Sequence, residues 1–261
     1  MDEIVTENCG NVLRVELNRP AKRNALTSNM CVVLADILNQ VAKDERTRVV
    51  LWHGAGDAFC AGNDVEDFLK NPPGPGESPQ ARFMNALIDF DKPLIAAVHG
   101  AAIGGGTTML THCDFVYAGE SAKFQMPFIN LALVPEFGSS WSVPARIGHI
   151  RAAELILLGL PFEAKRAADL GLVTQIVPDQ SLLTVASEMA RKLAAKPAGA
   201  LQACMRLLKR PFREQIKMAM KAEMEEFSVQ VRSADAKEAF TAFLEKRPPH
   251  FTGTTKSTTA A

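Results

Sequence analysis

The chain lacks a net charge: its 261 residues carry 29 Lys plus Arg against 29 Asp plus Glu. That balance gives no electrostatic case for nucleic acid or an anionic membrane as partner. It also lacks any CxxC pair. Its five cysteines (Cys9, Cys31, Cys60, Cys113, Cys204) are scattered and odd in number, which points to reduced thiols, an intracellular setting and no disulfide framework. The five histidines form no ligand-spaced pair, so no metal site is expected. No apolar run is long enough for a bilayer; the longest, "PLIAAVHGAAIGGG", is broken by His99 and Gly100. "MDEIVTENCG" is acidic and has no apolar core, unlike a signal peptide. The ending "TGTTKSTTAA" is not a peroxisomal address. A cytoplasmic protein is expected. No internal repeat is visible.

What is present is an alternation of strands and helices. "EIVTENCGNVLRVELN" alternates about a Gly-Asn turn and predicts a β-hairpin. Met30, Val33, Leu34, Ile37, Leu38 and Val41 recur at helical spacing, predicting an amphipathic helix near residues 28–43. "RVVLWHG", "PLIAAVHG" and "FVYAG" read as strands, and "NPPGPGESP" as a loop. A helix carrying Phe83, Met84, Leu87 and Ile88 is expected after it. Beyond about residue 139 the pattern turns helical, with one short strand at "LVTQIV". The fold class is α/β with right-handed crossovers. The division predicted is a core over residues 1–198, a helical region over 199–251 and a disordered tail over 252–261. The Met, Leu and Ala positions of the helical end include some that suit another subunit.

Three short stretches carry candidate chemistry. In "GDAFCAGNDV", Gly62 permits a tight turn with positive φ that would aim the Asn63 amide into a cleft. On spacing alone the plainer reading is a strand-to-helix loop capped by Asn63 or Asp64. In "HGAAIGGGTTMLTHC", Gly104–Gly106 precede a helix start whose N–H groups have no intrahelical partner, so a ligand atom can reach bare backbone. Close packing of two backbones is the alternative. In "NLALVPEFGSSW", Glu136 sits in an apolar run. Desolvation would raise its pKa, whereas a helix starting at Ser139 would favour its anion. A first-turn acid stabilising a helix would look the same.

Taken together and in order, "VLRVELNRPAKRNALT", "AFCAGNDVEDF", "DKPLIAAVHGAAIGGG", "CDFVYAGESAKFQMPFINLALVPEFGSS", "AAELILLGLPFEAKRAADLGLVTQIVP" and "KEAFTAFLEKRPPHF" resemble the crotonase, or enoyl-CoA hydratase/isomerase, superfamily over nearly the whole chain. The resemblance implies a crotonase-like spiral of ββα units with a C-terminal helical trimerisation region, assembled as a homotrimer or a hexamer. It implies a coenzyme A thioester as substrate and no permanently bound cofactor. The backbone amides of Asn63 and Gly105 would form an oxyanion hole. Lys22, Arg23, Ala25, Leu26, Ala61 and Asp64 match the segments along the CoA moiety, and Lys246 would meet a CoA phosphate, from a neighbouring subunit if not its own. Phe83, Met84, Leu87, Phe128, Leu133, Phe137 and Trp141 are candidates for an apolar acyl pocket, although each suits a core equally. Cys60 reads as an inert buried thiol, and His99 and His112 as structural.

The family's hydratases use two glutamates, and at the matching places this chain has Thr108 and Phe128. Neither is a base near neutral pH. Glu136 matches the glutamate kept by 3-enoyl-CoA to 2-enoyl-CoA isomerases. The expected reaction is therefore a double-bond shift by one base. Hydration or another crotonase reaction, and acyl-CoA binding without catalysis, stand as alternatives.

Overall fold

The computed structural model describes residues 2–70 and 78–251. The expected tail at 252–261 and most of the Pro-rich loop lie outside the described residues. The hairpin forms as β1 (Ile4–Cys9) and β2 (Val12–Leu17), antiparallel about Gly10. The helix expected near 28–43 is α1 (Ser28–Lys43), with the Thr27 side chain accepting from the Met30 N–H at its start.

The chain then repeats one device. A strand joins a large sheet, the next strand joins a small one, and a helix returns. β3 (Val49–Gly54) enters the large sheet and β4 (Ala58–Cys60) the small one, followed by α2 (Val65–Lys70) and α3 (Pro79–Asp89). β5 (Leu94–Val98) and β6 (Ala101–Ile103) repeat the step and lead into a single helical turn, α4 (Gly105–Thr108). β7 (Phe115–Gly119) and β8 (Lys123–Gln125) repeat it again before α5 (Ser139–Ile147) and α6 (His149–Leu158). β9 (Phe162–Glu163), α7 (Ala164–Asp169), β10 (Gln175–Val177) and α8 (Leu182–Ala194) complete the two sheets and their cover. The large sheet runs β1-β2-β3-β5-β7-β10 and the small one β4-β6-β8-β9. From β2 to β10 the large sheet is parallel. This is the expected spiral of ββα units.

β3 and β5 are buried at every residue, as parallel strands covered on both faces must be. On one face Leu51, Ile95 and Tyr117 pack against Ala186 and Ala190 of α8. On the other face Trp52, Val98 and Phe59 join the main core with Leu34 and Leu38 of α1 and Phe83 and Leu87 of α3. The helical end is dominated by one helix, α9 (Ala198–Gln230), 33 residues long and continuous through Pro211. α10 (Ala234–Leu244) closes the described chain. The predicted core boundary at residue 198 thus falls on the first residue of α9. Part of α9 belongs to the main core, because Met220 and Phe227 are buried in it. Among the described residues no helix is long and apolar enough to cross a membrane.

Candidate active site

The site forms where two turns meet. Asn24 is buried, with left-handed backbone. Its side-chain amide donates to the carbonyls of Ala55 (2.8 Å) and Ala58 (2.7 Å), and its Oδ1 accepts from the Arg19 N–H. This pin lays residues 23–26 beside the Gly62 turn. Ala61 N–H donates to Arg23 O at 2.9 Å, Leu26 N–H to Gly62 O at 2.7 Å, and Asp64 N–H to Leu26 O at 2.9 Å. The pairing skips the Asn63 amide. Gly62 has φ 87°, and a Cβ there would lie 2.7 Å from Ile103 O and 3.6 Å from Gly105 N. The two turns therefore touch, and neither the Asn63 nor the Gly105 amide hydrogen has an acceptor among the described residues.

Each glycine of the triplet has its own reason. Gly104 adopts φ 56°, ψ −120°, which glycine reaches without strain. A Cβ on Gly106 would stand 2.2 Å from Cys60 O, so there two backbones pack closely. A Cβ on Gly105 would stand 2.7 Å from Glu136 Oε1. The middle glycine thus leaves room for a carboxylate that the sequence places 31 residues later. The close packing of two backbones raised for this motif is found at Gly106.

Glu136 points inward. It is only 7% exposed, and the Asn63 side-chain amide donates to its Oε2 (3.1 Å) and Oε1 (3.3 Å). Burial pushes its pKa up to about 7; the Asn63 hydrogen bond opposes this and the nearby Glu223 carboxylate adds to it. The dipole of α5 does not rescue the anion. The amides at that helix start are taken by Glu223 of α9, whose Oε2 accepts from Gly138 N–H and Oε1 from Ser140 N–H, each at 2.7 Å. Burial raises the Glu223 pKa, and the bonds from Ser140 and Gly138 pull it back down in part. Phe137 (φ 62°) and Gly138 (φ 65°) carry the chain through the left-handed region, which costs a non-glycine residue about 1–2 kcal/mol. His112 holds that kink, its Nε2 donating to Phe137 O at 2.7 Å; burial lowers its pKa to about 4 and keeps the ring neutral.

A cleft of roughly 480 Å³, open to solvent, runs past Glu136. Met84, Ala81 and Gln80 of α3, Phe68 of α2, Pro135, and Glu223, Met224 and Phe227 of α9 form its walls with Ser78 and Ser228. Phe68 and Phe227 meet edge to face at 5.6 Å. Of the acyl-pocket candidates, Met84 lines this cleft. Phe83, Leu87, Phe128 and Leu133 are buried in the core instead, and Phe83 packs edge-on against Phe137. Phe137 is buried too, with its ring edge against Gly105. Trp141 turns the other way and lies against Phe212 on α9.

The candidate CoA contacts divide. Ala25 and Leu26 are buried beside the Gly62 turn, and Ala61 is half-buried in it. Arg23 is exposed with left-handed backbone, and Lys22 is exposed and ion-paired with Glu66 at 3.1 Å. Asp64 is occupied by structure. It pairs with Arg19 at 2.6 Å and accepts from the Asp67 N–H as a helix cap. Lys246 stands exposed just past α10 and does not line the cleft. Cys60 is fully buried with its pKa pushed up to about 12, and His99 bonds to Gly56 O. Glu223, Phe68, Met224 and Phe227 had no local signal in sequence; they lie on elements that only folding brings together.

Residues 7–254 match the family model described as "Enoyl-CoA hydratase/isomerase". The chain is 38% identical to the 1,2-epoxyphenylacetyl-CoA isomerase of Escherichia coli strain K12, over 93% of this chain and 95% of that one. It is 36% identical to a probable enoyl-CoA hydratase of Bacillus subtilis strain 168, over 90% and 93% respectively. A crystal structure of an enoyl-CoA hydratase/isomerase from Pseudoalteromonas atlantica superposes with a TM-score of 0.91 at 37% identity, covering 96% of this chain and all of that one. With its two-sheet spiral, its apposed glycine turns and these matches along its length, the chain belongs to the enoyl-CoA hydratase/isomerase (crotonase) family.

Proposed function

We propose that the protein binds an acyl-CoA thioester and moves a double bond from the 3- to the 2-position of enoyl-CoA, with Glu136 as the single base. The observation that carries this reading is the placement of Glu136: a buried carboxyl against the Gly105 backbone, held by Asn63, with its pKa raised to about 7. Such a group is ionised in part at neutral pH and strong enough to take a proton from the α-carbon. The thioester oxygen would lie between the Asn63 and Gly105 amides, which would bind the dienolate as charge develops; one such donor is worth about 3–4 kcal/mol in the transition state. The same carboxyl would return the proton to the γ-carbon.

Hydration has less support. Thr108 is buried with its hydroxyl turned to Gly104 O, and Phe128 is a buried apolar side chain. Neither offers a base to a water. The relatives' names span isomerases and hydratases, so the choice of reaction rests on these side chains. A second reading has its own observation. The edge-to-face pair Phe68–Phe227 on the cleft wall suits an aryl acyl group, and one relative is named a 1,2-epoxyphenylacetyl-CoA isomerase. Ring chemistry on an aryl-CoA is that reading. The exposed Leu157, Leu158, Leu207, Leu208 and Phe212 on and beside α6 and α9 support assembly into trimers or hexamers.

Assaying 3-enoyl-CoA isomerisation, 2-enoyl-CoA hydration and epoxyphenylacetyl-CoA isomerisation in parallel tests the choice. The double-bond shift should be fastest. Hydration alone would overturn the single-base reading, and turnover of the aryl epoxide alone would establish the second.

A further inference from the structure

We propose that Glu223, on α9, is a positioning residue that locks the Glu136–Ser140 turn against the glycine turn. The proposal rests on Glu136 being the base. The turn is bent through left-handed backbone at Phe137 and Gly138 and is held from both sides. His112 takes the Phe137 carbonyl from behind. Glu223 takes the Gly138 and Ser140 amides from the cleft side, one oxygen to each, at 2.7 Å. Ile216, two turns earlier on α9, fills the space where a Gly138 side chain would be. One helix thus fixes the residues that immediately follow the base, and the same carboxyl faces the cleft beside Glu136.

The two amide hydrogens that Glu223 accepts, one on each oxygen, favour its anion against the burial that raises its pKa. A hydrophobic residue, or a glutamine presenting an N–H to an N–H, could not make this pair of bonds. The anion also keeps Glu136 protonated to higher pH than burial alone would, since like charges in one cleft oppose double ionisation. The other groups around Glu136 add no charge to this balance. Cys31 from α1 and Cys60 from β4 are thiols whose pKa burial raises, Asn63 is neutral, and buried His112 stays neutral. Across the α3 interface, Lys217 pairs with Asp89 and Arg213 with Asp91. At the far end of α5, Arg146 is bonded to Thr111 O.

Glu223→Gln tests this. Expected for the double-bond shift is a kcat about 10- to 100-fold lower, a KM within about 3-fold of wild type, and an acid limb of kcat/KM moved to lower pH. A purely structural cap would lower thermal stability and leave that limb in place. Wild-type kcat with an unmoved acid limb would overturn the proposal. Should the variant not fold, carboxyl ¹³C titration of glutamate-labelled wild-type protein decides: Glu223 should ionise before Glu136. Glu136 ionising first, or Glu223 remaining protonated through the Glu136 transition, would overturn it. Glu136→Gln assayed alongside separates the two readings. If it stays active, the assignment of the base falls, and the wild-type titration alone then supports or overturns the hold of Glu223 on the turn.

Discussion

Two helix starts meet at the Glu136 carboxyl and end in opposite states. At Gly105 the chain enters a single helical turn with an amide that has no acceptor among the described residues, beside the equally free amide of Asn63. At Ser139 it enters a nine-residue helix whose leading amides are already filled, those of Gly138 and Ser140 by Glu223 and that of Ser139 by the Glu136 carbonyl. Both turns use a glycine at positive φ, Gly104 in one and Gly138 in the other. In the proposed function the free start is where the thioester oxygen would sit. A filled start is scaffolding that presents the side chain just before it, here Glu136. Sequence alone reads both as a glycine before a helix.

The comparison can be broken by adding one methyl group on each side. Gly105→Ala should lower turnover by about 100-fold, since its Cβ would press on Glu136 Oε1 at 2.7 Å and move the base. The fold should survive, because the obstructing atom is the end of a side chain; a melting temperature near wild type checks this. Gly138→Ala should do the reverse. Its Cβ would meet Ile216 at 2.7 Å in a left-handed backbone, costing about 1–3 kcal/mol of stability, while turnover falls less than about 10-fold at temperatures where the variant stays folded. Chemical denaturation with parallel kinetics separates the pair. If both variants lose stability and turnover equally, the two turns do not differ in the way described.

Much of this was legible in the sequence for a physical reason: the signals were local. The helix Ser28–Lys43, the hairpin about Gly10 and the buried strand Leu94–Val98 follow from period and turn chemistry within a few residues. Glycines at 62 and 104–106 announced backbone that must bend or be approached. Glu136 announced itself by its apolar neighbours. The α9 contribution was hidden because "KAEMEEFSV" reads as an amphipathic, mostly solvated helix. Nothing in it distinguishes buried Glu223 from exposed Glu225 and Glu226. Trp141 and Leu133 were apolar and near Glu136 in sequence, and that nearness did not carry over to the cleft wall. Asp64 shows the converse, a polar residue beside the turn whose side chain is fully engaged by Arg19 and a helix start.

The central claim is that one buried carboxyl beside two free amides moves the proton. Glu136→Gln, measured for both 3-enoyl-CoA turnover and CoA-ester binding, tests it most directly. The account predicts a loss of about 1000-fold or more in turnover with binding retained, and a wild-type kcat/KM that falls as the pH drops below about 7, where Glu136 takes up its proton. Turnover by Glu136→Gln at the wild-type rate, or a wild-type profile flat through that range, would contradict it.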